Sequence, residues 1–275
     1  MTSQHYHVFT ATLLLASLAT CGVLGWRAIR GRAWPTPIQP NLPPWPGWLL
    51  PLAIACYFVI TIVCSRRLPE ANAGVDAIRD VLTHNTQVLA AVFLVLAVLV
   101  ATARRRSEVP PLPACGGPSS PAVPLQILYG LVGFLTCLAP TMIVFLLTEP
   151  FRTDADLHPL LQFIQQDQSR QVLLAVSVSA VLVAPWVEEM AFRVILQRAL
   201  LRRYSPTVSI LATATVFCVV HGSWLDAVGL FPLAIVLGTT YHRTGSFLAV
   251  VLIHMLFNAY NIVAMVMESI PATAG

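Results

Sequence analysis

The sequence predicts an all-α integral membrane protein of about eight transmembrane helices, and three observations carry that prediction. First, 57% of its residues are hydrophobic and only 10% are charged, whereas a soluble domain carries about 25% charged residues. That leaves too little charge for a water-facing surface and suits a chain solvated by lipid. Second, the apolar residues gather into runs at about 8–26, 48–64, 86–103, 124–147, 172–192, 207–221, 228–241 and 247–267. The first five and the last are long enough to span, since a span takes roughly 20 apolar residues. The sixth and seventh are short, as helices that line a polar cavity or are buried in protein are allowed to be. Third, all 16 basic residues are arginine, and most stand at the ends of these runs, where orientation signals and headgroup contacts belong.

The first run follows a segment with no Lys or Arg, so it lacks the cationic start of a cleaved signal and reads as a retained span. Leu18-Ala19-Thr20-Cys21 resembles a lipoprotein cleavage site only weakly. Residues 27–47, rich in Pro and Trp, read as an extended interfacial loop. Within 66–85, the spacing of Val75, Ile78, Val81 and Leu82 predicts a short surface helix preceding the third span. Residues 104–124 combine three arginines with six prolines. They separate an N-terminal part (1–115, about three helices with Pro-rich loops) from a C-terminal part (116–275, about five helices). In 148–171, Leu157, Leu160, Leu161, Phe163 and Ile164 would suit an interfacial helix or an ordered loop. The six cysteines form no CxxC pair and read as free thiols behaving as small apolar residues.

With eight spans, ten arginines fall on one side (Arg27, Arg30, Arg32, Arg104, Arg105, Arg106, Arg198, Arg202, Arg203 and Arg243) and five on the other (Arg66, Arg67, Arg79, Arg152 and Arg170). The imbalance orients both termini to the non-cytoplasmic side. No basic, aromatic-interleaved surface is visible, so the net charge of +4 does not indicate a nucleic-acid partner.

Three sets of polar side chains interrupt the later runs. A charge near the bilayer centre costs about 2.5–3.5 kcal/mol even on lenient insertion scales, so each set needs partners, a wet cavity, or both. In the first, Glu189 and Arg193 are four residues apart and share one helical face, an arrangement for a buried ion pair. Glu188 is turned by about 100° from Glu189 and is left as a carboxylate suited to general-base work. Pro185 just before is placed to loosen the helix and admit water. These charges equally suit the interfacial end of a span, since Arg198, Arg202 and Arg203 follow closely. The second set is His221 after Phe217, which alone reads more readily as a packed or interfacial histidine. The third is His254 and Asn258, one polar patch in the middle of a long span, which would also serve interhelical hydrogen bonding. Taken together, a carboxylate base, two imidazoles, a carboxamide and a neutralised carboxylate lie within about 70 residues on three helices. Hydrolysis of a peptide bond needs an activated water and donors for the oxyanion, and this inventory offers both.

Glu-Glu-x-x-x-Arg (188–193), Phe-x-x-x-His (217–221) and His-x-x-x-Asn (254–258), in this order on successive apolar helices, resemble the CPBP intramembrane metalloprotease family, which includes type II CAAX prenyl endopeptidases and abortive-infection-like proteins. Arg243-Thr244-Gly245-Ser246 resembles the family pattern too, and the likeness covers about residues 172–262. It implies that Glu188, assisted by His221, activates water, that Glu189 and Arg193 form a structural and positioning pair, and that His254 and Asn258 bind the oxyanion or hold the water. It also implies either a Zn²⁺ held by Glu188, His221 and His254 or a metal-free glutamate mechanism. The expected protein is therefore an intramembrane endopeptidase of a bacterial plasma membrane, with membrane lipids around it and a membrane-associated peptide or protein as substrate. Two alternatives share these residues: a proton- or ion-coupled transporter, since intramembrane Glu and His also build relays, and a non-catalytic scaffold of the same fold.

Overall fold

A computed structural model of the chain describes residues 3–32, 34, 46–65, 75–106, 121–152, 164, 169–221 and 224–268. It is all-α, with no strand among the described residues. The helices are α1 (Ser3–Ile29), α2 (Leu49–Cys64), α3 (Val75–Arg106), α4 (Val123–Thr148), α5 (Arg170–Leu201), α6 (Pro206–Val219), α7 (Trp224–Thr244) and α8 (Phe247–Glu268). Among the described residues, six are long and apolar enough to cross a membrane, and α2 and α6 are shorter. The ends follow local chemistry. Ser169 and Ser205 accept the N–H groups of Val172 and Val208 and so cap α5 and α6. Gly245, at φ 62°, takes the left-handed conformation that closes α7, its N–H reaching Tyr241 O.

Two expectations are corrected. The second run, expected to span, forms the shorter helix α2, and the seventh, expected to be short, forms α7, which is long enough to cross. The surface helix and the third span are a single helix, α3, because nothing between them breaks the turn. The apolar side foreseen for the first part exists: Ile78 and Leu82 are buried against Ile164, Val172 and Val176. Of the 148–171 segment, Glu149–Phe151 forms one tight turn and Ile164 is fully buried; Leu157, Leu160, Leu161 and Phe163 lie outside the described residues, as do Cys115 and most of 27–47 and 104–124. The other five cysteines are free thiols.

The central cluster of buried side chains draws on α2, α3, α4, α5, α7 and α8, with Leu96, Leu138, Leu237, Val250 and Phe257 almost fully buried. Close approach of α4 and α8 depends on two glycines. A Cβ on Gly130 or Gly133 would run into Leu252 or Ile253 of α8, the small-residue packing that lets lipid-buried helices touch. At one end, Arg152 joins Asp226 of α7 at 2.7 Å.

Helix α1 is held to α4 at a proline. Pro140 has no N–H, so the Thr136 carbonyl loses its partner four residues on. Cys21 Sγ donates to that carbonyl at 3.4 Å. One turn earlier on α1, the Ser17 hydroxyl donates to Leu135 O and accepts from Ala139 N at 2.8 Å, standing between the two ends of a helical rung. Thus α1 answers the broken backbone of α4, as lipid, which offers no hydrogen bonds, requires of some neighbour.

Candidate active site

Helix α5 is not uniform, and its irregularity sits where the carboxylates are. Val178–Val183 and Met190–Gln197 run in wide π-helical turns that flank the ordinary helix Ala184–Glu189. Pro185 accounts for the first. In a π turn each carbonyl receives the N–H five residues on, and Ser179 O does receive Ala184 N. The next carbonyl, Ala180 O, would need the N–H of residue 185, and proline has none. Asn258 Nδ2 of α8 donates to Ala180 O at 2.8 Å instead.

The next turn carries the ionisable groups. Arg193 Nε donates to Glu189 Oε2 at 2.8 Å, and both side chains are fully buried. The other oxygen, Glu189 Oε1, meets His254 Nδ1 of α8 at 2.9 Å. Glu189 is ionised against Arg193, so Nδ1 is the donor. His221, just past the end of α6, has Nδ1 at 2.6 Å from Phe217 O. A carbonyl only accepts, so here too Nδ1 carries the proton, and a neutral His221 ring keeps a lone pair on Nε2. That atom lies 3.6 Å from Glu188 Oε2, and His254 Nε2 lies 3.8 Å from the same oxygen. These separations exceed direct hydrogen bonds and fit groups that share a water.

Exposure grades across the cluster. Glu188 and His221 side chains are 21% and 18% exposed, His254 is 4%, and Glu189 and Arg193 are sealed. A partly exposed carboxylate–imidazole pair is therefore backed by a sealed ion pair, with His254 between them. Phe217 packs among all of these: its ring centroid is 4.5 Å from that of His221 and 5.7 Å from that of His254, and Arg193 Cζ stands 5.0 Å from its centre. The cation over an aromatic face adds attraction in a dry site.

Five of the six residues singled out from sequence therefore meet: Glu188, Glu189, Arg193, His221 and His254. Asn258 lies one turn along α8, with its amide engaged at Ala180. Sequence reasoning missed Phe217 as a packing centre, although it stands four residues before His221, and Tyr57 of α2, which comes within electrostatic reach of Glu188. Glu188, His221 and His254 converge, but among the described residues no group of three His, Cys, Asp or Glu side chains is placed to hold a metal ion.

Residues 170–260 match the family model described as type II CAAX prenyl endopeptidase Rce1-like. The matched stretch runs from the start of α5 into α8 and contains all six candidate residues. No curated protein and no solved structure matches the chain. The protein is thus a multi-pass membrane protein whose C-terminal region is like the CAAX-type intramembrane proteases.

Proposed function

We propose that this protein is an intramembrane endopeptidase that hydrolyses a peptide bond in a membrane-associated protein or peptide. The observation that supports it is the meeting of Glu188 Oε2, His221 Nε2 and His254 Nε2 from three separate helical elements at the half-open side of a buried ion pair. A water between them donates to Glu188 and to His221 Nε2, with its own lone pair left for the scissile carbonyl. As its oxygen attacks, its proton passes to Glu188. His254, its Nδ1 held at 2.9 Å by Glu189 and its Nε2 turned toward Glu188, would meet the oxyanion with a hydrogen bond from Nε2. Glu189 steadies that ring, and Arg193 balances Glu189. The C–N bond then breaks, and the amine leaves with the proton from Glu188.

A metal reading keeps the same residues. Both imidazoles engage Nδ1 with an acceptor and turn Nε2 inward, the arrangement that orients metal-ligating histidines. Glu188, His221 and His254 do not form a metal-holding group as they stand; were they drawn together on a Zn²⁺, it would supply a bound water with a pKa of about 7. Metal analysis of the purified protein, with assays before and after chelation, separates the two mechanisms.

The direct test uses proteoliposomes and two internally quenched probes, one ending in a farnesylated CAAX box and one an unprenylated membrane-spanning peptide. Cleavage of either should fall about 10²–10⁴-fold in Glu188→Gln, the range a general base supplies. Unchanged cleavage in that variant would remove Glu188 from the mechanism. Ion-dependent uptake without cleavage of any peptide would instead select a transporter.

A further inference from the structure

We propose that the face of α7 opposite the Glu188 cluster binds one anionic phospholipid, its phosphate on Arg243 and its acyl chains on either side of a ridge along α7. Two cavities carry this. One, of about 520 Å³, lies between α1, α4 and α7, and the other, of about 360 Å³, between α6 and α7. They share three residues, Ile235, Thr239 and Arg243. These are spaced four apart and so form one stripe along α7. A two-chain lipid with an anionic head has this same shape: two apolar arms meeting at one charged point.

The polar groups are set for such a ligand. Helix α1 runs antiparallel to α4, since Ser17 meets Ala139 while Trp34 meets Tyr129. Helix α7 is antiparallel to α4 as well, Gly229 lying against Phe145 and Thr240 near Gly133. Trp34, Tyr129 and Arg243 therefore share one end of the larger cavity, where the two rings pack edge-on at 5.3 Å. Aromatic and arginine side chains at one level mark a membrane interface. Arg27, Arg30 and Arg32, in and just after the last turn of α1, stand at this same end, and among the described residues no carboxylate lines either cavity. The planar guanidinium fork matches a phosphate. Further in, the larger cavity is walled by apolar side chains such as Leu24 and Val132. Gly25 also lines it, and a Cβ there would meet nothing within 4 Å, so the room is real. Neither cavity shares a residue with the catalytic cluster, so the proposal stands apart from proteolysis.

The test reconstitutes the full chain in vesicles of equal phosphatidylglycerol and phosphatidylcholine, extracts it in mild detergent and quantifies the co-purified phospholipid by mass spectrometry. Phosphatidylglycerol should exceed phosphatidylcholine about fivefold, the ratio given by about 1 kcal/mol per basic residue at the surface. Arg243→Gln should return the ratio to that of the vesicles. Gly25→Phe, whose Cβ meets nothing within 4 Å and whose ring is directed into the cavity volume, should lower total bound lipid while leaving the melting curve in place. Arg79→Gln, at the far end of α3, should change nothing. The proposal is overturned if the wild type shows no enrichment, if Arg79→Gln removes it as fully as Arg243→Gln, or if it survives both Arg243→Gln and Gly25→Phe.

Discussion

Ser17 and Cys21 of α1, four residues apart, meet α4 beside Pro140, while His254 and Asn258 of α8, also four apart, meet α5 beside Pro185. In both seams a proline withholds an N–H from a lipid-buried helix, and a side chain from another helix satisfies the carbonyl. What differs is the second member of each pair. Ser17 sits in a rung whose own donor and acceptor, Ala139 N and Leu135 O, both still exist. His254 instead grips a carboxylate that holds a fully buried arginine. The first seam docks a helix. The second docks a helix and also brings ionisable groups together with one side of them left partly open. A broken helix thus becomes reactive only when its partner brings charge as well as a hydrogen bond.

This comparison ranks substitutions. Glu189→Ala should be the most damaging, since it strands Arg193 among Phe217 and other buried side chains; removing one partner of a buried pair costs about 3–5 kcal/mol. Glu188→Gln leaves that pair intact, so its folding yield and melting temperature in detergent should stay near wild type. Equal losses in the two variants would break the assignment of Glu189 as the structural carboxylate. Asn258→Leu comes next, at about 1–3 kcal/mol for a buried carbonyl left unmade. Chemical unfolding in micelles would measure it, and in a Pro185→Ala background, where residue 185 regains an N–H, the penalty should shrink. A penalty of the same size in both backgrounds would detach Asn258 from Ala180 and return it to the oxyanion. Ser17→Ala should be the mildest, below about 1 kcal/mol, because Ala139 N can close directly onto Leu135 O. A loss as large as that of Asn258→Leu would show that the α4 rung cannot reclose.

Much of this was legible in the sequence. The eight apolar runs correspond to the eight helices, because lipid obliges each span to satisfy its own backbone and to be apolar along its length. The pairing of Glu189 with Arg193 followed from i,i+4 spacing alone. Continuity between Val75 and Arg106 was hidden because a polarity change was read as a break, whereas helical turns persist across an interface. The π turns could not be read, since Pro185 announces a missing donor but not which wider turn absorbs it. Nor could spacing tell that the amide of Asn258 points at a carbonyl 78 residues away. That depends on how α8 lies against α5, which is set by side chains far from both.

Among those distant determinants is the bare backbone of Gly133. Ile253 rests where its side chain would be, and the next residue along the chain is His254. The residue before the imidazole thus packs against a glycine on another helix. A single added methyl group there would force the Ile253 side chain, one residue before the imidazole, to move, while leaving every ionisable residue in the protein unchanged.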